Sequence, residues 1–197
     1  LSLFVNRAKI AIEVFEIERG KVFETEDFEI ESEKMNHETP SLAYSFIIKE
    51  KIRLDKDKLK KLKLPSSPLI GELRKGKTIE INGKKIDGSK LIYKEEGRKV
   101  SFIMDTKINA NCDKIAEDSD LLVCESTYSA EEEELANEHF HLTCIQAANI
   151  AKKAKVKKLI LTHLSQKYEA NSSFILKEAK KIFKNTEVPE DFYKIEL

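Results

Sequence analysis

Five residues of this chain have the types and settings that chemistry at a metal ion or a phosphoryl group needs. His37 lies in NHETPSLAY, Asp105 in FIMDT, Glu125 in LLVCEST, His141 in HFHLT, and His163 closes the apolar run LILTH. Only four histidines are present, and these three sit at the ends of elements. A strand that runs straight into Thr-His fixes the backbone while the following loop frees the ring, which aims an imidazole into a cleft. A pair of divalent ions about 3.5–4 Å apart needs an anionic bridge with neutral imidazoles at its flanks, leaving room for water and phosphate. Asp105 suits the bridge, and His37 and His163 the flanks. Read one at a time, each has a plainer account. Asp105 before Thr106 can be a turn or N-cap residue, and His37 before Glu-Thr-Pro can order a loop. His141 can simply precede the N-cap of a helix starting near Thr143, with His139 two residues earlier.

The elements that must position these residues are strands first and then an alternation. Period-two recurrence of β-branched and aromatic residues predicts strands over 9–17, 21–34 and 41–49, with Gly20 marking a turn. KVSFIMD and SDLLVCE read as buried strands flanking a short helix, NCDKIAED. LTCIQAANIAKKAK is an amphipathic helix, KKLILTH the next strand, SSFILKEAKKIFKN a second helix and DFYKIEL a closing strand. The pattern predicts an α/β fold with active residues at strand ends.

With 197 residues, 41% of them hydrophobic, the chain can bury one core and carry an appendage. Cys112, Cys124 and Cys144 are odd in number and form no C-x-x-C pair, which argues against a disulfide framework or a cysteine zinc knuckle and suits a reducing cytoplasm. Cys124 and Cys144 read as buried small hydrophobes. No apolar run is long enough to span a bilayer. Residue 1 is Leu and the first methionine is Met35, from which an upstream start is expected. Formal net charge is zero, yet seventeen Lys and Arg against eight Asp and Glu lie between Lys49 and Lys99. DKDKLKKLKL reads as a short basic helix stopped by Pro65, and RKGKTIEINGKKI as a hairpin with turns at Gly76 and Asn82-Gly83, a segment with too few large apolar residues for a robust core of its own. A basic helix and ribbon on a neutral body suits phosphate-backbone contact; a solvated lysine-rich face is the equal alternative. No aromatics interleave the run, which disfavours stacking on single-stranded bases.

The succession HETPSLAYSF, a basic insertion, FIMDT, SDLLVCESTY, a Glu-rich stretch, HLT-x3-AA-x2-A, VKKLILTHLSQKY and a terminal DFYKIEL resembles the C-terminal part of ribonuclease Z, the tRNA 3′-processing endonuclease of the metallo-β-lactamase superfamily. The resemblance covers essentially the whole chain in order. It implies an αβ/βα sandwich, present here in its C-terminal part over 1–197, with an inserted flexible tRNA-binding arm over 50–95. It also implies two Zn2+ ions per site, with His37, Asp105 and His163 among their ligands and Asp105 as the bridge. His141 and Glu125 resemble the pair that protonates the leaving 3′ oxygen, the carboxylate fixing the tautomer of an imidazole that acts as general acid. Precursor tRNA is the implied substrate, gripped by Lys58, Lys60, Lys61, Lys63, Arg74, Lys75 and Lys77 of the arm and by Lys167 near the last motif, and a homodimer the implied assembly.

Several positions depart from the family pattern. Leu142 stands where Ser is usual, Met104 where Gly commonly precedes the bridging Asp, Gln166-Lys167 where Arg is frequent, and Pro65-Ser66-Ser67-Pro68 in place of a Pro-Gly-Pro-like turn. Lys167 keeps a charge for phosphate without the bidentate fork of Arg. H-x-H-x-D-H, which supplies four further ligands in the family, appears nowhere in these residues. The chain alone is therefore expected to be a truncated, inactive and poorly stable part of its parent enzyme, with weak zinc binding and an uncovered sheet face. Two other readings stay open: a metallo-β-lactamase-fold phosphodiesterase for small esters, and a non-catalytic RNA-binding subunit.

Overall fold

Apolar strands need hydrogen-bonding neighbours on their edges, and KVSFI, LLVC and KLILT find them in one another. In the structure, a computed structural model describing residues 13–63, 68–81 and 83–197, these are β8 (Arg98–Ile103), β9 (Leu121–Glu125) and β10 (Lys158–Thr162). They run parallel, with Ser101, Leu122 and Leu159 in one row and Ile103, Cys124 and Leu161 in the next. The sheet is extended antiparallel by β3 (Leu42–Ile48), β2 (Phe28–Lys34) and β1 (Gly20–Glu24), and on its other edge by β11 (Thr186–Glu187). The strand order is β1-β2-β3-β8-β9-β10-β11.

Helices α3 (Ala110–Ala116) and α5 (Cys144–Lys153) cover one face, and α6 (Ser173–Ile182) packs beside α5. Ala147, Ala148 and Ala151 are fully buried, and their small side chains let α5 approach the sheet closely. Where β3 and β8 meet α3, three buried hydroxyls satisfy one another: Ser101 Oγ lies 2.7 Å from both Ser45 Oγ and Ser119 Oγ, and the Ile115 carbonyl oxygen, 2.9 Å from both Ser45 Oγ and Ser101 Oγ, accepts the remaining proton. The opposite face carries the register pairs Tyr44 with Phe102 and Phe28 with Ile48, and Tyr44, Phe102 and Ile48 are exposed there.

Three sequence expectations change. The run 21–34 is a hairpin rather than one strand, because the Thr25 hydroxyl accepts from the backbone N–H groups of Asp27 and Phe28 at 3.1 Å and turns the chain. Of the strand expected over 9–17, residues 9–12 lie outside the described residues and 13–17 form no strand. DFYKIEL also forms none: the edge of β10 is taken by Thr186–Glu187, and Phe192 is 97% exposed.

The basic segment leaves the sheet through a two-stranded stem, β4 (Lys51–Leu54) against β7 (Ile92–Glu95), in which Lys51 opposes Glu95. Between them stand α1 (Lys56–Leu62), α2 (Ile70–Arg74) and a hairpin of β5 (Thr78–Ile81) and β6 (Lys84–Asp87). Asp55 caps α1, accepting from Asp57 and Lys58 N–H at 3.0 Å. α1 ends at Lys63 in a left-handed conformation, so the expected stop at Pro65 lies just beyond, outside the described residues, as does Asn82 of the hairpin turn. The segment's few large apolar residues gather into a small core of Leu73, Ile79 and Leu91, packed by Leu54, Leu59, Ile81 and Ile86. At the base, a Cβ on Gly97 would lie 2.5 Å from the Ile48 carbonyl oxygen, so the close approach of stem and sheet requires glycine there.

Candidate metal centre at the strand ends

Parallel β8, β9 and β10 end on one edge of the sheet, and the antiparallel β2 and β3 bring the loop 35–41 to the same edge. Asp105, His163 and His37 therefore converge from separate loops on Glu125, the last residue of β9. Asp105 and His163 both take positive φ, 47° and 53°, and Phe140 beside His141 takes 59°. Such backbone strain in non-glycine residues persists where surrounding contacts over-determine it, and it gathers at functional sites.

Those contacts centre on Glu125, whose side chain is fully buried. It accepts from Thr106 N–H at 2.6 Å, Thr127 Oγ1 at 2.8 Å and Leu142 N–H at 3.1 Å, and His141 Nδ1 lies 3.1 and 3.2 Å from its two oxygens. One carboxylate thus ties together the loop after Asp105, the loop before α5 and the end of its own strand. Because Glu125 accepts, His141 donates from Nδ1, which leaves Nε2 as the atom that can pass a proton outward. The loop of His37 is stapled to that of Asp105 by Asn36 N–H to Thr106 Oγ1 and Lys107 N–H to the Asn36 carbonyl, both 3.0 Å. Thr39 N–H donates to His37 Nδ1 at 3.3 Å and closes that loop.

His141 stands between the other rings, with centroids 5.4 Å from His37 and 5.3 Å from His163, while His163 Nε2 lies 3.6 Å from Asp105 Oδ1. Two groups of three could each hold an ion, with ligand atoms within 4.8 Å of one another: His37, Asp105 and His141, and Glu125, His141 and His163. The three ligands expected from the sequence fall across both groups, with His141 shared. Imidazole and carboxylate donors on a strained, water-accessible edge fit a divalent transition ion.

The thiols contribute nothing here. All three are buried, and burial pushes Cys112 up to about 11, Cys144 to about 12 and Cys124 well above the usual thiol range. Lys167, expected to meet phosphate, pairs with Glu132 and lies over the rings of Tyr128 and Tyr168 at 5.2 and 5.1 Å. Burial opposes ionisation of Glu132, but Lys167 and the Tyr168 hydroxyl outweigh it and hold the carboxyl at about 2. The stabilisation from this link is therefore full above the ordinary carboxyl range and is lost as pH falls toward 2. Sequence reasoning missed Lys107. Its ammonium lies 4.5 Å over the Phe140 ring, which meets His37 edge-on at 6.4 Å, and no anionic partner holds it among the described residues. In the arm, Lys58, Lys60, Lys75 and Lys77 have acidic partners, while Lys61, Lys63 and Arg74 have none among the described residues.

No family model matches the chain. Ribonuclease Z of Lactobacillus gasseri is 38% identical over 203 aligned residues, covering 100% of this chain and 66% of that protein. Ribonuclease Z of Ligilactobacillus salivarius is 38% identical over 98% of this chain and 63% of the relative, and that of Listeria welshimeri 37% over 92% and 61%. The chain belongs to the ribonuclease Z-like proteins of the metallo-β-lactamase fold. It spans less than two thirds of the length of these ribonuclease Z relatives. Solved structures agree on the fold. Human tRNase Z, short form, superposes with a TM-score of 0.52 at 20% identity over 89% of this chain and 46% of its own. A metallo-β-lactamase fold protein of Bacillus subtilis gives 0.53 at 19% identity over 84% and 47%. The ribonuclease Z-like chain is thus an α/β sandwich of that superfamily, within a family of hydrolases. Among the described residues no helix is long and apolar enough to cross a membrane.

Proposed function

We propose that this chain supplies metal ligands and the proton donor of a tRNA 3′-processing endoribonuclease. The observation that carries the reading is the convergence of His37, Asp105, His141 and His163 on one sheet edge around buried Glu125. In this reading His37, Asp105 and His163 would hold zinc. Bound zinc would supply a water activated at neutral pH and charge to offset that of the phosphate. The chain's own residues do the rest. Protonated His141, held through Nδ1 by Glu125, delivers the Nε2 proton to the leaving 3′ oxygen. Lys107, fixed over Phe140 beside His37, meets a phosphate oxygen of the substrate, the part the sequence suggested for Lys167.

The segment 50–95 is the tRNA-gripping arm in this reading, and Lys61, Lys63 and Arg74, which have no acidic partner among the described residues, make the backbone contacts ahead of the partnered Lys58, Lys60, Lys75 and Lys77. A homodimer, in which one arm presents tRNA to the other subunit's site, and a cytoplasmic setting accompany the reading.

The stem makes a clean test available, because residues 51 and 95 are register partners and a short linker can close the gap. In the protein translated from the complete reading frame, deleting the arm should lower precursor-tRNA cleavage by about 100-fold or more and flatten its salt dependence. Hydrolysis of bis(p-nitrophenyl) phosphate should change by less than about threefold. Equal loss of both activities, or unchanged tRNA cleavage, would sink the arm reading, and small-ester hydrolysis without tRNA cleavage in the undeleted protein would favour a phosphodiesterase for small esters.

A further inference from the structure

Thr127 lies two residues beyond Glu125, so in extended backbone both side chains leave on the same side of the strand end. Its hydroxyl has one proton and two good acceptors, Glu125 Oε2 at 2.8 Å and the His163 carbonyl at 3.1 Å. The same oxygen is 3.0 Å from His163 Nδ1. With its only proton committed to an acceptor, the hydroxyl can meet that nitrogen only as an acceptor itself, so Nδ1 must carry the hydrogen. The opposite tautomer would either set a nitrogen lone pair against an oxygen lone pair or take the hydroxyl proton away from the buried Glu125 carboxylate. Thr127 is 8% exposed, which leaves little room for water to relieve that clash.

The backbone makes this contact a fixed one. Ser126 N–H donates to the Thr162 carbonyl at 3.0 Å, and Ser165 N–H donates to the Thr127 carbonyl at 3.2 Å, so the chain is stapled on both sides of His163. The left-handed φ of His163 is held by the same staples.

We propose that Thr127 is a positioning residue that locks His163 with its proton on Nδ1 and its Nε2 lone pair turned toward Asp105, preparing the ring as a metal ligand. The inference rests on the metal reading above and deepens it. Glu125 then orients two imidazoles at once: His141 directly, as proton donor, and His163 through the Thr127 hydroxyl, as ligand. Partners of this kind, one step removed from a metal, are worth about 10–100-fold in metal affinity.

The test uses the chain itself, labelled with 15N, in long-range 1H–15N spectra recorded where His163 is neutral, together with zinc affinity by competition with a chromophoric chelator. The wild type should show the Nδ1–H tautomer at His163. Thr127→Val, which keeps the shape and removes the hydroxyl, should lose that preference and bind zinc about 10–100-fold more weakly. Thr127→Ser should retain both properties, which a merely steric role for the threonine would not produce. Should Thr127→Val fail to give a folded amide spectrum, Thr127→Ala removes the hydroxyl without placing a methyl against the carboxylate. An unchanged tautomer in the folded variant lacking the hydroxyl would overturn the proposal, as would a changed tautomer with unchanged zinc affinity. Neither readout depends on RNA cleavage, so a failure of the nuclease reading would be seen separately.

Discussion

Replacing Glu125 with alanine should destabilise the chain by about 3–5 kcal/mol, the range for removing one partner from a buried, hydrogen-bonded charged pair. The side chain has no exposure, and four donors point at it. Its removal leaves the Thr106 and Leu142 N–H groups without acceptors, at about 1–3 kcal/mol each before any water enters. Glu125→Gln should cost less than alanine, because one oxygen still accepts while the amide group faces donors. Urea denaturation would read both variants, as a shift of midpoint at unchanged slope. A cost below about 1 kcal/mol for Glu125→Ala would mean that the carboxylate does not organise the edge as the geometry implies. Beyond stability, the alanine variant should broaden the resonances of His141 and His163 together, since both rings depend on this group.

His141→Ala should act on chemistry rather than folding. In the protein from the complete reading frame, precursor-tRNA cleavage should fall by about 10²–10⁴-fold, the usual contribution of a positioned general acid. A phosphodiester whose leaving group is a nitrophenolate needs no proton on departure, so its hydrolysis should fall by less than about tenfold. The ring also stands in both groups able to hold an ion. Bound zinc measured on the same variant separates the two roles: a proton donor can be removed with the metal retained, whereas a ligand cannot. Equal loss with both substrates and loss of zinc would reassign His141 to the metal.

Much of this arrangement is legible in the sequence because its cause is local. The apolar runs of β8, β9 and β10 read as strands, and each places its chemistry-bearing residue at its end or in the loop that follows. What was not legible is either a turn hidden within a strand-like run or has its cause elsewhere in the chain. The turn at Thr25 comes from a hydroxyl accepting two backbone N–H groups inside a run that alternates like a strand. DFYKIEL alternates well, but a strand also needs an edge, and β11 occupies the edge of β10. The apolar residues of the arm are sparse along the sequence and form a core only when α2, the hairpin and the stem bring Leu73, Ile79 and Leu91 together.

The site shows the same division. His37, Asp105 and His163 could be picked out by residue type and place, and Glu125 with His141 by a family pattern. Thr127 and Lys107 could not, since one acts through a ring 36 residues away and the other is placed by the ring of Phe140. The pairing of Lys167 with Glu132, 35 residues earlier, likewise has no local signal in the sequence.

The measurement that tests the central claim most directly is zinc content and trailer cleavage of precursor tRNA by the protein translated from its complete reading frame, with Asp105→Ala beside the wild type. The account predicts about two zinc ions per chain and cleavage leaving a 3′ hydroxyl in the wild type, with metal and activity both lost in the variant. Cleavage that survives Asp105→Ala, or a wild type that binds tRNA yet holds no metal and cuts nothing, would contradict it.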